Sequence, residues 1–129
     1  MIKIFIGLIF TVLFLTSCAQ KQVINSTSAT ILIKTPSMKF YDKGFIFKYS
    51  DYTQVQIFSA GTAVLDMKIY EDRICKSTFE CQDLKTFNLQ NLHPSYEDTF
   101  IKELFDKNEK EVIHRDRKNR ILIRIRRDK

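Results

Sequence analysis

The chain has 129 residues, of which 44% are hydrophobic and 28% are charged, which is enough for one domain with a modest core but not for two. This composition excludes an intrinsically disordered chain and a membrane protein with several spans. Lysine and arginine outnumber aspartate and glutamate by 21 to 15. In a cytosolic protein such a surplus would first suggest nucleic acid as the partner, so the compartment decides how the charge is interpreted.

The first seventeen residues have the make-up of a secretory signal peptide. Lys3 is their one cation, and residues 4–15 form an apolar run that is too short to span a bilayer. Residues 15–18 then read Leu-Thr-Ser-Cys. This segment resembles the lipobox of bacterial lipoproteins, in which a branched residue and two small residues precede an invariant cysteine. The lipobox resemblance covers only this segment, and through it the chain resembles the small envelope lipoproteins of Gram-negative bacteria.

The resemblance implies that Cys18 is the lipidation site. Its thiol would be alkylated by a diacylglycerol, a lipoprotein signal peptidase would remove residues 1–17, and the freed amine would be acylated by a fatty acid such as palmitate. Lipoproteins kept at the inner membrane tend to have Asp after the cysteine, whereas this chain has Ala19. We therefore expect anchoring in the outer membrane, at its periplasmic face. The alternative is an uncleaved anchor or a plain secretory signal.

The next segment is polar and predicts a tether. Within residues 18–30, Val23 and Ile24 are the only larger apolar side chains, so the segment cannot bury enough surface to fold alone. We therefore divide the chain into a signal peptide (residues 1–17), a lipidated cysteine with a flexible tether (residues 18–30) and a single folded domain (residues 31–129).

The first half of that domain alternates apolar and polar residues with the period of β-strands. Residues 30–35 predict a strand that Pro36 ends. The Asp-Lys-Gly sequence at residues 42–44 predicts the turn of a hairpin between residues 38–41 and 45–49. Two more strands follow, at residues 53–58 and 63–70, so a meander of about five strands is expected.

Two helices are predicted after this meander. Ser77 and Glu80 have the spacing of a capping box, and apolar residues follow on one stripe. Pro94 interrupts the pattern, and Ser95 can cap a second helix that carries Tyr96 and Phe100 on its apolar face. A C-terminal hairpin of residues 110–114 and 120–127 closes the domain. The fold class predicted is α+β, a mostly antiparallel sheet with two helices packed on one face.

Cys75 and Cys81 are the two cysteines left once Cys18 carries lipid. An even pair in an oxidising compartment favours a structural disulfide between them. It would clamp the end of the long strand to the start of the first helix. Two reduced, buried thiols are the alternative.

The sequence gives no grounds for catalysis. It lacks the glycine-rich phosphate loop and the nucleophile motifs of common enzymes, and the acidic pairs at residues 71–72 and 97–98 are better explained as surface charges. His93 and His114 stand at spacings from Cys81 that match no compact zinc module. We therefore predict no cofactor, no metal ligand and no enzymatic activity.

The uneven distribution of charge along the chain is the one feature of the sequence that suggests a binding site. Residues 107–129 hold ten Lys and Arg against four Asp and Glu, which accounts for the whole surplus. In the last strand, Ile121, Ile123 and Ile125 would face the core, and this would leave Arg120, Arg124 and Arg126 in one outward row. Arginine suits bidentate contacts with phosphate or carboxylate, so these three are the predicted ligand-binding residues. The alternative is an edge strand that charge protects from aggregation.

These observations favour a non-catalytic, lipid-anchored interaction or accessory module of the cell envelope. Its partners would be the membrane, through the anchor, and an acidic envelope protein, an anionic lipid or a glycan, whereas nucleic acid is not expected outside the cytoplasm. One alternative is a binder of anionic envelope ligands such as lipid A phosphate or peptidoglycan. A second alternative is an inhibitor of a wall hydrolase, although a basic hairpin would repel a basic enzyme such as lysozyme.

Overall fold

The computed structural model describes residues 22–76 and 80–128. In chain order the elements are β1 (Asn25–Lys34), β2 (Lys39–Lys48), β3 (Tyr52–Ser59), β4 (Thr62–Tyr70), β5 (Arg73–Cys75), β6 (Cys81–Asp83), α1 (Leu84–Asn91), α2 (Phe100–Asp106), β7 (Glu111–Asp116) and β8 (Ile121–Arg127). The predicted lipidation site Cys18 lies outside the described residues. In the part of the chain that is described, no helix is long and apolar enough to cross a bilayer.

The eight strands form one antiparallel sheet in the order β6-β5-β4-β3-β2-β1-β8-β7. The predicted α+β class, with a C-terminal hairpin of β7 and β8, is confirmed. The hairpin joins the meander of β1 to β6 at its first strand, because β8 pairs with β1. At this end of the sheet β7 is therefore the edge strand, and β8 lies inside the sheet with a neighbour on each side.

One face of the sheet carries the core, and both helices cover it. Alternate residues of the central strands point to this inner face and are buried, as the period-two pattern predicts, among them Ile31, Ile33, Ile46, Val55, Ile57, Met67, Ile69, Ile123 and Ile125. Leu84 and Phe87 of α1 and Leu104 and Phe105 of α2 pack in the same cluster. Burying one such large apolar side chain fully contributes about 1.5–3 kcal/mol.

Two predicted boundaries near the start of the domain are wrong. Residues 25–30 belong to β1 and not to a tether, because they pair in register with residues 43–48 of β2. The predicted turn at residues 42–44 lies within β2. The turn is at residues 35–38 instead, where the Thr35 hydroxyl accepts bonds from the Ser37 and Met38 amides. The Thr35 side chain thus stabilises the turn between the first two strands, a role that the sequence had suggested for Gly44.

Gly44 is needed for close packing within the sheet. A Cβ atom at this position would lie 2.1 Å from the backbone oxygen of Gln56 on β3. Glycine at this position therefore allows β2 and β3 to approach closely. This packing requirement, and not a turn, explains why residue 44 is a glycine.

Both helices begin later than predicted. Ser77, the predicted cap of the first helix, lies outside the described residues, and residues 81–83 form β6. Asp83 caps α1, because its carboxylate accepts the Thr86 amide at 2.6 Å. The second helix begins at Phe100 rather than next to Ser95. The Ser95 hydroxyl is instead 2.7 Å from Nδ1 of His93, within the turn that joins the helices.

The predicted disulfide between Cys75 and Cys81 is present. It does not join a strand to a helix, because Cys81 belongs to β6 and lies directly opposite Cys75 on β5. The Lys76 amide donates to the Glu80 carbonyl at 2.9 Å, so the bridge closes a short loop between two three-residue strands.

The C-terminal end of α2 is held by two cations from the sheet. Arg127, only 5% exposed, donates to the carbonyl oxygens of Phe105 at 3.2 Å and Glu109 at 2.8 Å. Lys48 donates to the carbonyl oxygen of Asp106 at the same helix end. Cations at this position satisfy carbonyl groups that lack partners within the helix. Burial lowers the pKa of Lys48, although the nearby Asp106 carboxylate opposes this shift.

Candidate anion-binding site

The face of the sheet opposite the helices, called here the outer face, carries rows of cations across its strands. In one row Arg115 of β7 stands opposite Leu122 of β8, Leu122 opposite Lys34 of β1, and Lys34 opposite Lys39 of β2. The three charged side chains are exposed. Antiparallel pairing thus brings together cations that lie up to 81 residues apart in the sequence.

A recess of about 350 Å³ lies at the β7–β8 end of this row. We call it the basic recess; its charged lining is Lys34, Arg115, Asp116, Arg117 and Arg120. Ile121 and Leu122 supply apolar lining. Four cations against one carboxylate leave the recess positive, so it suits an anion that also carries an apolar part.

The turn that presents these arginines is fixed by Asp116. One carboxylate oxygen accepts the Asn119 amide at 3.1 Å, and the other accepts the Asn119 side chain at 2.7 Å. Arg120 closes the turn with a φ of 57° and a 3.4 Å bond from its amide to the Arg117 carbonyl. Arg120 is therefore a turn residue, not the first residue of the strand as expected.

Asp116 also bonds to the inner layer of the domain. The Tyr96 hydroxyl donates to its carboxylate at 2.6 Å and lies 2.8 Å from Nε2 of His114. Hydrogen bonds from Tyr96, and then from Asn119, lower the pKa of Asp116 to about 2. Burial and the same hydrogen bond raise the pKa of Tyr96 well above 10, so its hydroxyl stays protonated and acts as a donor.

The other two predicted ligand residues lie along β8. Arg124 stands on the outer face between Ile113 of β7 and Leu32 of β1. It forms no ion pair with any carboxylate of the described ranges. Arg126 pairs with Glu111 at 3.3 Å. The structure therefore places Arg120 at the recess and Arg124 beside it, whereas Arg126 already has an acidic neighbour.

Sequence reasoning missed Lys34, Arg115 and Arg117. Lys34 lies in a predicted strand, whereas Arg115 and Arg117 lie between the two strands of the predicted hairpin. The pairing of β1 with β8, which brings Lys34 to the hairpin, depends on contacts between distant segments. Periodicity shows which face a residue lies on and does not show which strand is its neighbour.

A larger recess of about 440 Å³ lies on the outer face beside the disulfide. Its charges are mixed, since Asp66 lines it together with Lys68, Arg73 and Lys76. The guanidinium of Arg73 lies 3.9 Å from the centre of the Tyr70 ring and pairs with Asp72 at 2.9 Å. These groups already have partners, so the basic recess is the stronger candidate. No cluster of three potential metal ligands occurs among residues 22–76 and 80–128.

Comparisons of the chain with protein-family models, with curated proteins and with solved structures found no match.

Proposed function

We propose that this protein is a lipid-anchored, non-catalytic module of the cell envelope that binds an anionic partner through the basic recess. The observation that supports binding is the meeting of Lys34, Arg115, Arg117 and Arg120 around one apolar-lined depression. The lipobox resemblance at residues 15–18 supports the anchor. The location, at the periplasmic face of the outer membrane, is part of the same proposal.

The edge-protection alternative accounts for fewer of these charges. Charges that protect a sheet edge belong on the edge strand itself. Here Lys34 and Arg124 lie on β1 and β8, which are interior strands. Their charges would protect no edge, whereas a binding surface makes use of them.

Binding can be tested with two probes on the purified, lipidated chain in a zwitterionic detergent. The probes are inorganic pyrophosphate and a hexaglutamate peptide, and the backbone amide signals are followed during titration. We expect shifts centred on residue 34 and residues 115–122 that weaken as salt rises, because exposed charges are screened. The triple variant Arg115→Gln, Arg117→Gln, Arg120→Gln should bind at least about 10-fold more weakly, which corresponds to about 1.4 kcal/mol.

The matched control removes three cations from outside the sheet. Lys85, Lys107 and Lys110 are exposed, and changing all three to Gln alters the net charge equally. This control should keep the affinity of the unchanged chain. If neither probe shifts the recess signals, or if the control weakens binding as much as the recess variant, the proposed binding site is wrong.

The anchor has a separate test by intact mass. The mature chain should begin at Cys18 and carry the added mass of its acyl chains, whereas the Cys18→Ala chain should accumulate as the full-length precursor. A mature chain that begins elsewhere or lacks acyl mass would contradict the anchor and leave the result on the recess unaffected.

A further inference from the structure

The outer face carries large apolar side chains as well as cations. Tyr41 is 61% exposed, Ile113 54% and Phe45 41%. All three point to the outer face, because their cross-strand partners Leu32, Arg124 and Gln56 lie there. On the helical layer, Leu89 of α1 is the comparable exposed residue in the described chain, at 59%.

Three phenylalanine rings form a patch in the middle of this face. Phe45 stacks against Phe47 and meets Phe58 edge to face, with ring centres 5.9 Å apart in both pairs. Phe47 and Phe58 are half-buried, so the patch has a packed base and an accessible top at Phe45. We call these three rings the aromatic patch.

Charge argues against a second copy of the chain as the covering partner. Lys34, Lys39, Arg115 and Arg124 lie on the same face, and two such faces would repel each other. The carboxylates of the face are largely engaged. Glu111 pairs with Arg126 at 3.3 Å, Asp128 pairs with Lys43 at 2.9 Å, and Asp66 accepts bonds from Gln54 and Gln56.

We propose that the outer face lies on the headgroup region of an anionic phospholipid bilayer. The aromatic patch and Tyr41 would occupy the interface, where amphipathic rings and apolar side chains are favoured, and Lys34, Arg115 and Arg124 would contact lipid phosphates. This inference rests on the proposed lipid anchor and names the anionic partner of the proposed site.

The spread of the cations favours a surface over a single bound anion. Lys39 and Arg115 stand at opposite ends of a row that crosses four strands, and neighbouring strands are about 4.8 Å apart. One small anion would contact the recess alone, whereas lipid phosphates extend over a plane. The six residues between Cys18 and Asn25 span at most about 25 Å, so an anchored chain keeps this face within reach of the bilayer.

The test places a photoreactive phenylalanine analogue at Tyr41 or, as a matched control, at Leu89 in the full chain within its own membrane. The two positions have nearly equal exposure, but they lie on opposite layers of the domain. After irradiation, adducts are identified by mass spectrometry. We expect phospholipid adducts at position 41 in about 10-fold excess over position 89, since only the outer face is docked.

A second arm removes charge from the contact. The variant Lys34→Gln, Arg115→Gln, Arg124→Gln should lower the ratio of docked to undocked chain by about 100-fold at low ionic strength. The variant with Lys85, Lys107 and Lys110 changed to Gln should leave the ratio unchanged. Circular dichroism confirms that each chain is folded, and Phe45 serves as a second labelling position should the chain labelled at Tyr41 fail to fold.

Equal lipid yields at Tyr41 and Leu89 would overturn the inference, because they would mean that the anchor alone brings the chain near lipid. A protein adduct at Tyr41 without lipid would overturn it as well and would identify the face as a protein interface. Either result is compatible with pyrophosphate binding at the recess, so failure here is distinguishable from failure of the proposed function.

Discussion

The hydroxyl of Tyr96 and the carboxylate of Asp116 are 2.6 Å apart and join the segment between the two helices to the edge strand β7. This bond adds to the pairing of β7 with β8 and to the burial of Val112 in the core. His114 lies on the same strand and meets Phe100 edge to face, with ring centres 4.7 Å apart. The edge strand that carries Arg115 is thus fixed to the helical layer.

We predict that Tyr96→Phe destabilises the domain by about 1–2 kcal/mol, because it removes a hydrogen bond to a charged group in a partly buried position. Urea unfolding at neutral pH measures the change. Tyr41→Phe is the control and should stay within about 0.5 kcal/mol, since that ring is largely exposed. Equal effects of the two changes would contradict the assigned role of the Tyr96 hydroxyl.

The pH dependence of stability should reflect His114 and Asp116. Burial lowers the pKa of His114 below 6.5, so the unfolded chain binds this proton more readily and stability falls as the pH drops below about 6.5. The pKa of Asp116 is about 2, against 3.8 ordinarily. Its stabilisation is complete above about pH 3.8 and is lost as the pH falls toward 2.

Carboxyl and imidazole NMR titrations measure both values directly. In Tyr96→Phe the pKa of Asp116 should rise toward its ordinary value, because the Tyr96 bond is the main cause of its depression. An unchanged Asp116 titration in that variant would show that Asn119 alone accounts for the shift.

Arg127 and Arg126 are adjacent in sequence and should differ sharply in importance. We predict that Arg127→Gln costs about 2–4 kcal/mol, because it leaves the buried carbonyl of Phe105 and the carbonyl of Glu109 without their charged donor. Arg126→Gln should cost less than about 1 kcal/mol, since its ion pair with Glu111 is exposed. Chemical denaturation of both variants tests the contrast, and similar losses would contradict it.

The two described glycines offer another matched pair. Gly44→Ala should destabilise the domain by about 3 kcal/mol, because the new Cβ would collide with the backbone of Gln56. Gly61→Ala meets no atom within 4 Å but keeps a φ of 81°, so a loss of about 1 kcal/mol is expected. Melting temperatures rank the two variants, and the opposite order would refute the close approach of β2 and β3.

The disulfide should contribute about 2 kcal/mol, the chain-entropy value for a seven-residue loop. Cys81→Ser is the better variant, because Cys81 is exposed whereas Cys75 is buried. Reduction of the unchanged chain should give the same loss in urea unfolding. No difference between oxidised and reduced protein would show that the loop is already constrained without the bond.

The sequence allowed correct prediction of the α+β class, because alternation in residues 53–58 and 63–70 is a local property of each strand. It misplaced the first turn, since Gly44 relieves crowding between strands and that requirement arises only once β3 is in place. The sequence also misplaced the start of α1. Serine and aspartate are both favoured at the N-cap, so residue type alone does not distinguish Ser77 from Asp83, which is the N-cap in the structure. The charge of Arg120 was enough to predict it as a ligand-binding residue, and it lies at the recess, whereas the position of Lys34 there required knowledge that β1 and β8 are neighbours.

The pairing of β1 with β8 also has a consequence for folding. Ala29 stands opposite Arg127, and the Ser28 hydroxyl donates to Asp128 at 2.7 Å, so the first strand gains its second neighbour only from the last residues of the domain. Contacts of such long sequence separation form slowly, because the intervening loop must close first. A chain of this topology cannot complete its sheet until β8 has been synthesised and can pair with β1. We therefore expect the nascent chain to stay incompletely folded until the final hairpin has left the ribosome.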